Sequence, residues 1–350
     1  MLSRRRSHPL DVATVGKGAA CLPFFHPTQI VFVDDDSGFL SWFSRGLDLR
    51  APLRRYQSPA RLLDDLAFAR IPTRIDLDCW SNPRTREHSD GLQQLLGLNE
   101  TQILRRLFNP RRFDVLSVAV VDYAMPEMDG VELLRRIESL PCRKILLTGQ
   151  ADDSVAVDAF NEGLIDYFAS KAAPGLTRLI RRQILRFQRD FIADASALVR
   201  QALRTEHGRT WDDEVFCALL EEISARHGFV EYYAVGDPAE GFLLVDDEAR
   251  GRLLLTFSAA SIEAQFTAAR LSGAPDEVLD RLAQEAVTTY FPAEYANQVL
   301  DAQAWHDACV PLHPFPNRSD RFYALLDHCE PLPVSPDSVR GLKARLAAQD

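Results

Sequence analysis

The chain has few cysteines, no long apolar run and no excess of basic residues. Six cysteines are scattered along its 350 residues and none stands in a Cys-x-x-Cys pair, a usage typical of reduced thiols in a cytosolic protein. No apolar run approaches the roughly 18–20 residues that a membrane helix needs, so a membrane-spanning segment is not expected. The formal net charge is −10, which argues against a broadly basic surface for nucleic acid. These absences predict a cytoplasmic protein without a membrane or nucleic-acid partner.

The length of the chain predicts two domains, at roughly 100–200 residues per domain. The basic N-terminus lacks both a periodic pattern and the apolar core of a signal peptide, so we expect a flexible tail over residues 1–26. We place a first domain at residues 27–175, a connector helix at 176–205 and a second domain at 206–350.

Strand and helix patterns alternate along the first domain. Short runs that are mostly apolar, β-branched or aromatic predict strands, with amphipathic stretches between them. The predicted strands cover residues 30–33, 53–56, 115–121, 144–147 and 165–169. This order predicts an α/β fold, a doubly wound five-stranded parallel sheet with its ligand site at the carboxyl ends of the strands.

Polar residues lie one or two positions beyond the ends of four of these strands. They are Asp34 and Asp35, then Asp122, then Thr148, then Lys171. Carboxylates that crowd together are costly unless a hard cation joins them, and Mg²⁺ prefers oxygen ligands. A hydroxyl and an ammonium beside them suit phosphoryl oxygens. The set predicts a Mg²⁺ pocket for phosphoryl transfer to a carboxylate nucleophile.

Two less specific interpretations of these residues remain. Asp34 and Asp35 could be helix-capping acids on a surface loop, an interpretation that the ordered set of five residues disfavours. The second interpretation is a degenerate domain of the same fold that is never phosphorylated.

Four segments resemble the receiver domain of bacterial response regulators. They are VDDD at 33–36, VVDYAMPEMDG at 120–130, LLTG at 146–149 and FASK at 168–171. The resemblance spans roughly residues 29–190, and the Asp-x-x-Met-Pro-x-Met-Asp-Gly signature is highly specific. It implies a phosphorylation-dependent response regulator of a two-component system.

The resemblance also assigns the acidic residues. It implies that Asp122 is the phosphoacceptor and that Mg²⁺ is the cofactor. Asp34, Asp35, Asp122 and the backbone carbonyl of Ala124 are the implied metal ligands. The implied phosphate donor is a phosphohistidine on a sensor histidine kinase or a phosphotransfer protein.

The remaining site residues receive roles from the same resemblance. Thr148 and Lys171 are implied to contact the phosphoryl oxygens. Phe168 takes the position of an aromatic switch that turns inward when Thr148 moves toward phosphate.

The sequence departs from the family pattern in three places. Ala172 follows Lys171 where the family usually has proline after a cis bond, so the loop either keeps that strain or takes another path. Ala124 has no polar side chain at a position that tunes phosphate loss. An insertion over residues 71–112 is longer than the usual 2–6 residues of such connections, and it could mark a kinase or output surface.

The second domain has a different pattern and no recognisable catalytic motif. Runs at 230–235, 241–245 and 251–257 predict a smaller α+β domain with an antiparallel meander. Helices are predicted at 261–271 and 275–289. The domain is acidic, lacks a basic recognition helix and carries no nucleophile elbow or phosphate loop.

The function of this second domain is left open by its sequence. We expect an output domain that binds protein or self-associates, with a homodimer as one form. The alternatives are an enzyme gated by the receiver and a nucleic-acid-binding transcriptional regulator. Scattered residues such as His306 and Cys309 match no zinc-site spacing, and packing is the simpler interpretation of them.

Overall fold

The computed structural model describes residues 21–75, 105–149, 153–197, 199–200, 214–235, 240–291, 300–327 and 334–348. Most of the predicted insertion at 71–112 lies outside these residues. The helices within the described part of the chain are all too short or too polar to cross a bilayer.

Strands and helices alternate through the first part of the chain. The elements there are β1 (Phe24–Phe25), β2 (Gln29–Val33), α1 (Ser37–Gly46), β3 (Leu53–Tyr56), α2 (Pro59–Ala67), β4 (Leu116–Asp122), α3 (Gly130–Arg136), β5 (Arg143–Thr148), α4 (Asp153–Asn161), β6 (Tyr167–Ser170) and α5 (Leu176–Ala195). Those of the second part are α6 (Glu214–His227), β7 (Phe229–Val235), β8 (Gly241–Asp246), β9 (Gly251–Ser258), α7 (Ala259–Leu271), α8 (Asp276–Ala283), β10 (Val287–Thr289), α9 (Ala302–Asp307), β11 (Cys309–Pro311), β12 (His313–Phe315), β13 (Arg318–Leu326) and α10 (Leu342–Ala347).

These elements form two units, and each unit is assembled from separate stretches of chain. The α/β unit is built from described residues within 25–75, 109–200 and 342–348, and the α+β unit from those within 21–24, 105–108 and 214–341. The predicted division at residues 27–175, 176–205 and 206–350 did not anticipate these exchanges. Residues 21–24 and 105–108 belong to the α+β unit although most of their sequence neighbours belong to the α/β unit. Residues 342–348 belong to the α/β unit although they follow the α+β unit in sequence.

The α/β unit contains the predicted five-stranded parallel sheet. Its strand order is β3-β2-β4-β5-β6, and every neighbouring pair is parallel. Val31 and Val33 join one core cluster, whereas Ile30 and Phe32 join the other. Because side chains alternate along a strand, these clusters cover the two faces of the sheet. The predicted fold class is therefore confirmed.

Acidic caps begin two helices next to the carboxyl ends of the strands. The Asp36 carboxylate accepts the Phe39 N–H at 2.9 Å, and the Asp129 carboxylate accepts the Glu132 N–H at 2.8 Å. Each cap satisfies a backbone donor that the first turn of a helix leaves without an intrahelical acceptor. The caps fix where α1 and α3 start, directly after the segments that carry the predicted site.

Helix α5 packs against the sheet through most of its length. Its residues Leu176, Ile180, Ile184 and Phe187 lie in the same core cluster as Phe32. The connector helix predicted at 176–205 is thus part of the α/β unit through Ala195. Its link to the second domain falls at residues 201–213, which lie outside the described residues.

The last described helix, α10, also belongs to the α/β unit. Leu342 is buried, and the Arg345 guanidinium donates from Nε to the Asp114 carboxylate at 2.6 Å. Asp114 ends a 3₁₀ turn directly before β4. The contact ties the end of the chain to the start of the strand that carries Asp122.

The α+β unit is built on a six-stranded sheet with the order β1-β7-β8-β9-β13-β12. The pairs β7–β8, β8–β9, β9–β13 and β13–β12 are antiparallel. The predicted meander is therefore confirmed, with strand bounds within two residues of those expected. Strands β10 and β11 form a separate antiparallel pair.

The helix predicted at residues 275–289 is wrong in its second half. Helix α8 ends at Ala283, and Glu285 then takes a positive φ of 54°. A left-handed residue cannot continue a right-handed helix, so the chain turns there. Residues Val287–Thr289 instead form β10.

The predicted tail and the predicted reduced thiols are both wrong near residue 21. Cys21, Leu22 and Phe24 are buried, so residues 21–26 are not a flexible tail. Cys21 also forms a disulfide with Cys217 of α6, with Cα atoms 5.4 Å apart. This pair could not be predicted, because the two cysteines are separated by 196 positions and share no motif.

Candidate functional site

Strand register brings the predicted site residues to one edge of the sheet. Val33 pairs with Val121 across β2 and β4, so the residues after them, Asp34 and Asp122, emerge at the same level. Asp122 pairs with Leu147 of β5, and Thr148 stands one residue further on. The carboxyl ends of parallel strands thus converge, as a ligand site in this kind of sheet requires.

Three carboxylates meet at this edge. Asp34, Asp35 and Asp122 each offer one oxygen, and these oxygens lie within 4.8 Å of one another. Asp34 and Asp122 are buried, with 2% and 4% of their surface exposed, whereas Asp35 is open to solvent. One side of the cluster is therefore enclosed and the other is accessible to a ligand.

Lys171 brings a positive charge to two of these carboxylates. Its Nζ lies 2.7 Å from Asp34 Oδ2 and 2.8 Å from Asp122 Oδ1. The other oxygen of Asp34 accepts the Asp36 N–H at 3.0 Å. The ammonium thus links the residues at the ends of β2 and β4, although it stands just after β6.

Burial and charge change the proton affinity of this pair. Burial raises the pKa of the Asp122 carboxyl above its ordinary value, and the hydrogen bond from Lys171 offsets only part of that rise. Burial acts to lower the pKa of Lys171, but its hydrogen bonds to Asp122 and Asp34 outweigh burial and raise that pKa. The negative charge on Asp122 is thus costly without a nearby cation.

The donor set fits a magnesium ion. Three carboxylates and one ammonium leave a formal charge of −2 at the cluster, which a divalent cation balances. All available side-chain ligands are oxygens, as Mg²⁺ prefers, and the exposed side of Asp35 leaves room for the waters that Mg²⁺ retains. Ala124, the predicted carbonyl ligand, lies at the surface two residues beyond Asp122.

Thr148 and Phe168 occupy the strand positions that the sequence predicts for them. Thr148 is fully buried at the end of β5 and pairs with Ser170 of β6. Phe168 is half-buried in β6, and its ring centroid is 6.1 Å from that of Phe160 on α4. Their roles toward phosphate remain predictions.

The loop after Lys171 is held by hydrogen bonds from three successive backbone N–H groups. Lys171 donates its N–H to the Thr148 carbonyl at 2.8 Å. Ala172 donates to the Ser170 hydroxyl at 3.2 Å and Ala173 to the Ser170 carbonyl at 2.9 Å. These bonds give the loop a defined path although alanine stands where proline is usual.

Sequence reasoning missed two contributors to the site. Asp36 caps α1, and Phe39 lies with its ring under the ammonium of Lys171, 4.6 Å from Nζ to the ring centroid. The triple Asp run was a signal for the cap. No spacing rule links Phe39 to a residue so far along the chain.

Among the residues that the structure describes, the acidic trio is the only group of three or more His, Cys, Asp or Glu side chains close enough to hold a metal ion. His306 lies 3.9 Å from Glu277, and the Cys309 thiol donates to the Trp305 carbonyl at 3.3 Å. Cys309 also packs against the core cluster that contains Trp305, which agrees with the packing interpretation of that residue.

Comparison with known proteins assigns the class of the α/β unit. The family model described as "Response regulator receiver domain" matches residues 89–180. Together with the parallel sheet, this match identifies the α/β unit as a CheY-like receiver domain. A search of the curated proteins finds no match.

A solved structure extends the similarity to nearly the whole chain. The Legionella pneumophila response regulator LqsR is 30% identical, with a TM-score of 0.69, and the alignment covers 94% of this chain and 96% of that one. A receiver domain of an HD domain-containing protein from Pseudomonas fluorescens Pf-5 is 23% identical, with a TM-score of 0.30, over 47% of this chain and 98% of that one. A CheY-like receiver domain protein from Methanospirillum hungatei JF-1 is 18% identical, with a TM-score of 0.28, over 47% and 98%.

The chain belongs to the response regulator family. Its receiver domain implies two-component response regulation and interaction with a histidine kinase or a phosphotransfer protein.

Proposed function

We propose that Asp122 accepts a phosphoryl group from a phosphohistidine on a sensor histidine kinase or a phosphotransfer protein. The observation that carries this proposal is the position of Lys171, whose ammonium reaches both Asp34 and Asp122 at the end of the sheet. A buried carboxylate with a cation beside it and an open acidic side is the arrangement that phosphoryl transfer to aspartate requires.

In the transfer, one Asp122 oxygen attacks the phosphorus, and the bond from phosphorus to the histidine nitrogen breaks. The histidine leaves with the electron pair, and an aspartyl phosphate remains. Asp34, Asp35, Asp122 and the Ala124 carbonyl would hold Mg²⁺, and the ion would neutralise charge on the phosphoryl oxygens. Lys171 binds one phosphoryl oxygen as a point charge.

Thr148 and Phe168 then convert the new phosphoryl group into a change of shape. The Thr148 hydroxyl donates to a phosphoryl oxygen and moves toward it. Phe168, half-buried beside Phe160, turns inward to fill the space that Thr148 leaves. The event is a local charge switch acting on an element with two states.

Modification of Asp122 tests the proposal. Acetyl phosphate or beryllofluoride with Mg²⁺ should modify or bind the wild type, and Asp122→Asn should reduce that signal to background. Asp158→Asn is a matched control, because Asp158 is an exposed carboxylate on α4. The readouts are the mass of the intact protein for phosphate and calorimetry for beryllofluoride. Equal phosphate on the Asn variant would reject the assignment.

For the α+β unit we propose an output role through protein binding or self-association. The acidic composition of residues 206–350 supports a protein partner over nucleic acid. The protein would then act as a regulator in the cytoplasm, without an enzymatic activity beyond phosphoryl transfer at Asp122. A pull-down with and without beryllofluoride tests this role, since a partner of the output unit should respond to the state of the receiver.

A further inference from the structure

Phe39 lies outside the five predicted strand-end residues but contacts one of them. Its ring centroid is 4.6 Å from Lys171 Nζ, inside the range of about 6 Å over which an aromatic face attracts a cation. The same ammonium lies 2.7 Å from Asp34 and 2.8 Å from Asp122. The neighbours of Lys171 Nζ thus include one aromatic ring and two carboxylates.

The Phe39 ring has a fixed position. The backbone N–H of Phe39 donates to the Asp36 carboxylate at 2.9 Å. Its ring stacks on Phe43, one helical turn further along α1, with centroids 5.1 Å apart and planes 14° apart. Phe43 is fully buried and packs edge-on against Phe32 of β2 at 5.6 Å. A column of three rings therefore connects the sheet core to the ammonium.

The Lys171 side chain needs such a constraint more than its backbone does. Its N–H is held by the Thr148 carbonyl, but a lysine stem has four carbons and many rotamers. The side chain is 27% exposed, so solvent competes for the ammonium. A contact that holds Nζ over the site before a ligand binds reduces the side-chain conformational entropy that Lys171 loses on binding.

The two carboxylates cannot supply this constraint throughout the reaction. Asp34 and Asp122 are the proposed metal ligands, and Asp122 is also the proposed nucleophile. Their oxygens are shared with the metal and the phosphoryl group once these bind. The Phe39 ring takes no part in either bond, so its attraction for the ammonium persists.

We infer that Phe39 is a positioning residue that holds the Lys171 ammonium toward the phosphoryl site through a cation–π contact. The inference rests on the proposed function of Asp122 and Lys171. It adds an aromatic ring to the two carboxylates that already contact the Lys171 ammonium.

Beryllofluoride binding at saturating Mg²⁺ tests the inference. Phe39→Leu keeps apolar bulk but removes the ring, and we expect it to weaken beryllofluoride affinity by about three- to tenfold. Phe39→Tyr keeps the ring face and should restore most of that loss. Trp42→Leu is the matched control, because Trp42 is an exposed aromatic residue on the same helix, 5.9 Å from Phe39 between centroids.

Two further measurements separate positioning from loss of structure. Mg²⁺ affinity without beryllofluoride should stay within about twofold in Phe39→Leu, because the proposed metal ligands are oxygens of other residues and the Phe39 ring is not among them. In a Lys171→Ala background, Phe39→Leu should have no further effect on beryllofluoride affinity, since the two side chains act as one unit.

Each outcome has a defined meaning. Unchanged beryllofluoride affinity in Phe39→Leu, an equal loss in Phe39→Tyr, or a parallel loss of Mg²⁺ affinity would overturn the inference while leaving the function of Asp122 intact. A wild type that binds no beryllofluoride would overturn the proposed function and this inference together. Calorimetry on the full chain gives all of these affinities.

Discussion

Burial and neighbouring charge act in opposite directions on the residues of the site. Burial and the neighbouring charges of Asp34 and Asp35 raise the pKa of the Asp122 carboxyl, whereas the hydrogen bond and charge of Lys171 act to lower it. An asparagine at position 122 removes one of three crowded carboxylates and keeps a hydrogen-bond acceptor for Lys171. The Asp122→Asn variant should therefore remain folded, and its failure to take phosphate can be attributed to the lost nucleophile.

Tyr56 gives the receiver a pH-dependent contribution to stability. Its hydroxyl donates to the Asp65 carboxylate at 2.8 Å, and burial raises the pKa of Tyr56 from 10.0 to about 12. The folded state therefore keeps this proton longer than the unfolded state. Its contribution is complete below pH 10.0 and is lost as the pH rises toward 12.

Urea unfolding of wild type and Tyr56→Phe between about pH 8 and 11 measures this effect. We expect the wild type to be more stable by about 1 kcal/mol at the lower pH, because the variant loses one partly buried hydrogen bond. The difference should shrink as the pH rises. A constant difference would show that Tyr56 titrates alike in both states.

The site residues differ in how far the sequence predicts them. Asp34, Asp122 and Thr148 each end or follow a run of buried strand residues, so strand order alone brings them together. Phe39 depends on the rotation of α1 and on the path of the loop after β6. Neither property follows from periodicity, and both require the folded structure.

Gly130, the first residue of α3, packs so closely against β4 that no side chain fits at this position. A Cβ there would lie 2.2 Å from the Asp122 carbonyl oxygen, far inside any non-bonded contact. The Gly130 N–H also donates to the Tyr123 carbonyl at 2.9 Å. Helix α3 therefore starts directly against the strand end that carries the nucleophile.

Gly130→Ala should destabilise the receiver by about 1–3 kcal/mol, the usual cost of overpacking. It should also weaken beryllofluoride binding, because relief of the clash displaces the backbone of Asp122. Gly46→Ala is the control: its Cβ meets only the Thr177 side chain, at 3.2 Å. Urea unfolding and calorimetry measure the two effects, and equal behaviour of the two variants would contradict this account.

Element type was predictable where a segment was long and its pattern regular. Strands β2 and β4 are buried along their whole length, and the meander strands β7, β8 and β9 have turn residues between them. Very short strands such as β1 and β12 carry no periodic signal, and both were missed. Helix α5 also buries Gln188, whose side chain donates to the Thr28 carbonyl at 2.8 Å, and apolar periodicity does not predict such a polar contact.

The disulfide between Cys21 and Cys217 joins residues that are 196 positions apart in the sequence. Cys21 and Cys217 are both buried within the α+β unit. Their Cα separation of 5.4 Å suits a disulfide, which usually needs about 4.4–6.8 Å. The bond fixes the segment before β1 onto α6.

The oxidised protein should be more stable than the reduced protein by about 2–4 kcal/mol, a typical contribution for a disulfide. Cys217→Ala should lose this increment and become insensitive to reductant. Cys142→Ala should keep the sensitivity, because Cys142 is a free buried thiol in the other unit. Unfolding with and without reductant measures the increment, and recovery of both thiols in alkylatable form from unreduced protein would contradict the pairing.

Helix α10 belongs to the α/β unit but is synthesised after the α+β unit. Asp114 leaves the ribosome 231 residues before its partner Arg345, which is roughly 10 to 50 seconds at ordinary elongation rates. Once Ser170 has also emerged, the nascent receiver has all five strands of its parallel sheet but still lacks the helix that meets Asp114. Translation of the output unit must finish before the receiver gains its last helix, so a shortened transcript would yield a signalling domain without its final packing element.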